Sequence, residues 1–165
     1  MHKYVAVITW ERKGEPFTDN RYSRAHEWKF DCGITLPASS SPQVVPLPMS
    51  CEAAVDPEEA LVAAASSCHM LSFLYVAARE GYVVDSYSDE AYGTLERVER
   101  RKMAVTKIVL RPQIEFSGEK LPDAEALAHL HHLAHEECYI ANSLKTEIVV
   151  EASADGDSTV SPAAP

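Results

Sequence analysis

Residues 56–81 read DPEEALVAAASSCHMLSFLYVAAREG, and the reading of this stretch decides the fold. Asp56 is a natural N-cap. Pro57 suits the first helical position, where its missing N–H has no partner to lose. Glu59 falls three residues after the cap, from where its carboxylate can reach back to the cap N–H. Glu58 and Glu59 also complement the positive end of a helix. Gly81 supplies the left-handed residue that stops one. These signals predict a single helix over 57–80, about 36 Å long at ~1.5 Å per residue. From Ala60 to Ala78 there is no Asp, Glu, Lys or Arg. Such a helix is apolar on nearly every side and is expected to be buried on nearly every side. Its length permits a membrane span, but it is rich in Ala, Ser and Cys with a His, which transfer weakly, and its flanks are acidic. No membrane association is expected.

Outward from this helix the pattern turns to strands. YVAVITW at 4–10 is β-branched and aromatic, and HEWKFDCGITL at 26–36 reads as another strand. Between them and the helix, residues 37–55 carry prolines at 37, 42, 46 and 48. They exclude a helix and a central strand, and a loop of this length is usually functional or mobile. Residues 82–98 alternate imperfectly around Gly93 and predict one or two strands. Residues 103–116 place Ile108, Leu110, Ile114 and Phe116 on one face, with Pro112 marking an edge or bulge. A second helix opens near Asp123 with the stripe Leu127, Leu130, Ala134 and Cys138, and LKTEIVVEA at 144–152 closes as a strand. The order is α+β, with helices segregated on antiparallel sheet. A helix apolar all round needs more cover than one small sheet gives, and a second copy of the chain is the simplest source. One domain is expected over 1–152, followed by a disordered polar tail over 153–165.

The 165 residues are 46% apolar and 24% charged, a globular composition, with a formal net charge of −10. Nucleic acid and anionic membrane surfaces need a positive field and are not expected partners. The basic cluster RVERRK at 97–102 is interleaved with glutamate and reads as a solvated turn. The N-terminal apolar run is too short for a secretory signal, so a cytoplasmic location is expected. In that compartment a pairing among Cys32, Cys51, Cys68 and Cys138 is more often redox-active than structural.

A reactive thiol needs something that favours its anion. Cys68 lies about three turns into its helix, beyond the reach of the helix dipole, and apolar surroundings favour the neutral thiol. Reactivity therefore requires a cation from elsewhere. His69 points about 100° away around the helix; Arg79, Arg21 and Arg24 are the other candidates, and spacing does not choose among them. His129, His131, His132 and His135 crowd the second helix. The His-Glu-x-x-His order of a zinc protease is absent, and no metal site is expected. Ala64, Ala65, Leu71, Ser72 and Tyr75 share the Cys68 face at helical spacing and would line an apolar substrate pocket.

Three segments taken together, YSRAHEWKFDCG, DPEEALVAAASSCHMLSFL and AHEECYIANSLKTEIVVE, resemble the OsmC/Ohr family of osmotically inducible and organic hydroperoxide resistance proteins. The likeness is greatest to its branch with Ser-Cys-His in the long helix. The resemblance implies an OsmC-like fold in which two long central helices pack between the sheets of an intertwined homodimer. It implies a thiol peroxidase in which Cys68 attacks an organic hydroperoxide and Cys138 resolves the sulfenic acid as a disulfide. Arg24, with Arg21 as the alternative, would activate Cys68, and Glu58 would orient that arginine. An external dithiol, such as a lipoylated protein, would reset the pair, with no metal, haem or flavin. A non-catalytic dimer that binds a small apolar ligand on the same fold is the rival reading. Peroxide consumption with dihydrolipoamide separates the two.

Overall fold

The computed structural model describes residues 1–151; the tail expected over 153–165 lies outside them. The described residues gather into two compact units that divide between Leu61 and Val62.

The first unit is a three-stranded antiparallel meander in the order β1 (Ala6–Thr9), β2 (His26–Phe30) and β3 (Thr35–Ala38). The single strand expected over 26–36 is instead a hairpin. Its turn is Asp31-Cys32-Gly33, where Gly33 adopts φ +87° and the Gly33 N–H donates to the Phe30 carbonyl at 3.0 Å. That left-handed conformation is cheap only for glycine, which fixes the reversal there. Pro37 sits in β3, an edge strand, where a missing donor is tolerated. Its carbonyl accepts from the Val55 N–H at 3.1 Å, and the Ser39 N–H donates to the Val55 carbonyl at 3.0 Å. The proline-rich loop is pinned elsewhere too. Buried Ser39 accepts the Cys51 N–H on its hydroxyl at 3.0 Å, and the Arg24 N–H donates to the Met49 carbonyl at 2.8 Å. Strand β1 is the other edge. Val7 and Ile8, on its opposite faces, are 53% and 57% exposed.

Helix α1 (Pro57–Arg79) begins as the sequence predicts. The Glu59 N–H donates to Asp56 Oδ1 at 2.8 Å, and the Asp56 N–H reaches back to Glu59 Oε2 at 3.4 Å. It ends at Gly81, φ +81°, with the Tyr82 N–H on the Ala77 carbonyl and the Gly81 N–H on the Ala78 carbonyl. This reciprocal pair satisfies two of the last free carbonyls.

The second unit adds β4 (Val83–Asp89), β5 (Tyr92–Glu99), β6 (Lys102–Leu110), β7 (Pro112–Ser117), α2 (Ala124–Glu137), α3 (Tyr139–Ser143) and β8 (Glu147–Val150). Strands β4 and β7 form an antiparallel pair, while β6 is flanked by antiparallel β5 and parallel β8. The run 103–116 is therefore two strands in two sheets. Pro112 opens β7 without a donor, and the Arg111 N–H just before it goes to Asp89 Oδ1 at 2.6 Å. Phe73, Val76 and Ala77 of α1 and Leu130 and Ala134 of α2 form the core, packed against Tyr82, Val84, Tyr87, Ile114 and Phe116.

The expectation that α1 is buried on all sides does not hold for one chain. Ala65, His69, Phe73, Val76 and Ala77 face inward. Ala64, Ser67, Leu71, Tyr75 and Ala78, at helical spacing on another face, are exposed, with Leu71 and Tyr75 each at 61%.

Candidate active site

Cys68 stands about three turns into α1, half-buried and unoxidised. Cys138 is free and only 1% exposed. It is not the last residue of a continuous helix, as the apolar stripe predicts. With φ −76° and ψ 110° it is an extended residue that ends α2 and begins α3. Its sulfur accepts the Ala141 N–H at 3.4 Å, while the Asn142 side chain satisfies the Glu136 carbonyl at 2.9 Å.

Cys68 and Cys138 are close enough to influence one another. Burial raises the Cys138 pKa most, backbone N–H groups of Ala141 and Ile140 oppose this, and the neighbouring Cys68 raises it further. Cys138 is thus kept a thiol beside a more accessible Cys68.

Below this pair lies a polar contact that sequence patterning missed. His69 Nε2 and His131 Nδ1 are 3.1 Å apart, with ring planes within 10° of parallel and centroids 5.4 Å apart. Both residues are buried. Burial is the main cause that lowers each pKa from 6.5 to about 4. For His69 the field of His135 adds to this and Asp89 opposes it; for His131 the field of His69 adds to it. The crowding of His131 with other histidines on the second helix was readable, but a pairing across 62 residues was not.

Asp89 ties α1 to the strands. Its Oδ2 accepts the Ser66 hydroxyl, and its Oδ1 takes the Arg111 N–H. Among the described residues no three His, Cys, Asp or Glu side chains gather as a metal site. His129 and His132 point outward, and His132 pairs with Glu136 at 3.4 Å.

Of the other residues picked from sequence, Arg24 is half-buried. Its guanidinium donates to the Tyr22 carbonyl and to the Asn20 carbonyl and side chain, and it lies 3.9 Å from the centroid of the Tyr22 ring. The expected Glu58–Arg24 ion pair is absent among the described residues. Carbonyls of its own turn occupy the guanidinium instead. Arg21 is exposed. Ala65 is fully buried. Ala64, Leu71 and Tyr75 belong to the exposed stripe, and Ser72 is half-buried.

The family model for OsmC-like proteins matches residues 50–153. None of the curated proteins matches the chain. An OsmC-like protein of unknown function from Vibrio cholerae is 56% identical, with a TM-score of 0.88 over 93% of this chain and 100% of that one. Organic hydroperoxide resistance proteins from Legionella pneumophila and Elizabethkingia anophelis share the fold at lower identity. The first is 18% identical, with a TM-score of 0.65 over 92% of this chain and 96% of its own. The second is 17% identical, with a TM-score of 0.67 over 92% and 94%. A family match that takes in all three helices, Cys68 and Cys138, joined to these likenesses, places the chain in the OsmC/Ohr family.

Proposed function

We propose that the chain is a thiol-dependent peroxidase that reduces organic hydroperoxides to alcohols. The observation that supports it most is a pair of free thiols of unequal access on α1 and at the end of α2, the buried Cys138 with its pKa raised and Cys68 among the causes. The Cys68 thiolate attacks the distal peroxide oxygen. An S–O bond forms, the O–O bond breaks, and the alkoxide takes a proton and leaves as the alcohol. Cys68 is then a sulfenic acid. The Cys138 sulfur attacks it, the S–S bond forms, and the hydroxyl departs as water with the Cys138 proton. An external dithiol returns two electrons and two protons by exchange, with itself oxidised to a disulfide. A lipoylated protein fits that role, and no metal or organic cofactor enters any step. Arg24 is the preferred activating cation, and Glu58 its partner in the reacting state, with Arg21 the alternative. The working unit is a homodimer in the cytoplasm, and the neighbours named as organic hydroperoxide resistance proteins support the choice of substrate class.

Intact mass after one equivalent of cumene hydroperoxide tests the mechanism. Wild type loses two hydrogens. Cys138→Ser gains one oxygen and then more, because nothing traps the sulfenic acid. Cys68→Ser stays unchanged. Arg24→Lys slows the first addition by orders of magnitude, since an ammonium lacks the planar fork, while Arg21→Lys does not. A Cys68→Ser variant that still consumes peroxide with dihydrolipoamide sinks the mechanism.

A further inference from the structure

One polar link joins α1 to α2, His69 against His131. Close by in the chain, Cys68 of α1 is among the groups that raise the pKa of Cys138 at the end of α2. The two pairs are near neighbours in the chain, since His69 follows Cys68, and His131 stands seven residues before Cys138, which ends α2. The apolar part of the seam, Phe73, Val76 and Ala77 with Leu130 and Ala134, lies beside them. The His131 ring also packs on Phe73, with centroids 4.5 Å apart.

The histidine link is directional. Among the described residues His131 Nε2 is buried with no hydrogen-bond partner. A buried N–H without a partner is rarer and costlier than a bare lone pair. The proton on His131 therefore belongs on Nδ1, from where it donates to His69 Nε2, and Nε2 keeps its lone pair. Apolar side chains would fill the same space without burying imidazole. What they would not do is fix one rotation of each helix about its axis. Packing of Ala and Leu tolerates small slips, whereas a 3.1 Å hydrogen bond between two rigid rings does not.

We propose that His69 and His131 are positioning residues: their hydrogen bond is a clasp that fixes α1 against α2 and so sets how readily the Cys68–Cys138 disulfide forms. The inference rests on reading those cysteines as a redox pair. The groups facing the clasp are Asp89 from β4 and His135 from α2. Neither accepts or donates in the His69–His131 bond itself.

The test is the thiol–disulfide equilibrium with dithiothreitol, which needs no peroxide. Two protein thiols and oxidised dithiothreitol exchange to the Cys68–Cys138 disulfide and reduced dithiothreitol, so two electrons and two protons move between partners. Cys32→Ser/Cys51→Ser protein is equilibrated at pH 7 over a series of reagent ratios, alkylated and weighed. In that background His131→Leu lowers the disulfide-to-dithiol ratio at least tenfold. His131→Asn, whose amide N–H replaces Nδ1–H, restores most of it. Leu130→Ala, a core deletion one position away, lowers the melting temperature and leaves the ratio unchanged. If His131→Leu does not fold, His131→Phe is read in its place. A ratio in His131→Leu or His131→Phe equal to that of the parent overturns the clasp, and so does an equal fall in Leu130→Ala. Failure of the peroxidase reading looks different: the parent forms the disulfide with dithiothreitol as described but consumes no hydroperoxide.

Discussion

At the scale of single residues, Cys68 and Cys138 differ in surroundings more than in chemistry. Cys138 is sealed, capped onto Ala141 and kept protonated, while Cys68 keeps partial access. The roles proposed for them, Cys68 as nucleophile and Cys138 as resolver, draw on that asymmetry. The adjacent histidines have a separate consequence for pH. Each has a folded-state pKa near 4 against 6.5 in a free side chain. Between those values the unfolded chain binds more protons than the folded one, so stability rises with pH across that window. The stability held in keeping the rings neutral is complete above about pH 6.5 and is lost as pH falls toward 4. By pH 5 the loss is about 2 kcal/mol per ring, and less for the pair than twice that if the first proton opens the site. Urea unfolding at pH 7 and pH 5 reads this directly. Equal midpoints at the two values would mean that the rings are not buried as neutral imidazoles.

At the scale of elements, packing rather than patterning places Gly93. A Cβ there would stand 2.8 Å from Val62 Cγ2 and 3.3 Å from Val105 Cγ1. Valine is stiff at χ1 and cannot swing clear. Gly93→Ala is expected to destabilise by about 1–3 kcal/mol, the usual range for overpacking. Val62→Ala added to it should recover part of that loss, a coupling that a double-mutant cycle measures. A Gly93→Ala protein as stable as wild type would show that α1 and β5 give way. Local chemistry made some elements legible in the sequence and left others hidden. Both ends of α1 are written in residues that touch each other, Asp56 with Glu59, Gly81 with Ala78 and Tyr82 with Ala77, so they were readable. The hairpin at Gly33 and the handover at Arg111 were not, because a strand's end depends on which partner it finds. The break at Cys138 was hidden for another reason. Glu136, Glu137 and Tyr139 would all sit in a helix, and the break is held by the Cys138 sulfur and the Asn142 side chain. The pairing of Cys68 with Cys138 is an expectation of the family resemblance, and the His69–His131 contact was not legible at all. Both depend on the docking of helices whose contacting residues are more than sixty positions apart.

At the scale of the whole molecule, apolar surface is left without cover in each unit. In the first, β1 carries Val7 and Ile8 exposed on opposite faces of an edge strand, a form that natural proteins usually cover or pair. In the second, α1 shows Leu71 and Tyr75 at 61% in a stripe flanked by alanines and serine. A stripe of that spacing is what a second helix packs against, and the net charge of −10 offers nothing on α1 to repel it, because the stripe is free of charge from Ala64 to Ala78. The expected outcome is a homodimer whose folding and assembly are one event. Sizing at micromolar concentration should then give about twice the mass of one chain, and the thermal midpoint should rise with protein concentration, as mass action requires of an obligate dimer. Leu71→Glu with Tyr75→Glu should lower that midpoint and steepen its dependence on concentration, since two buried carboxylates per chain would face their copies without partners. A wild-type chain that runs as a folded monomer, with a midpoint independent of concentration, would mean that the exposed stripe serves a different partner.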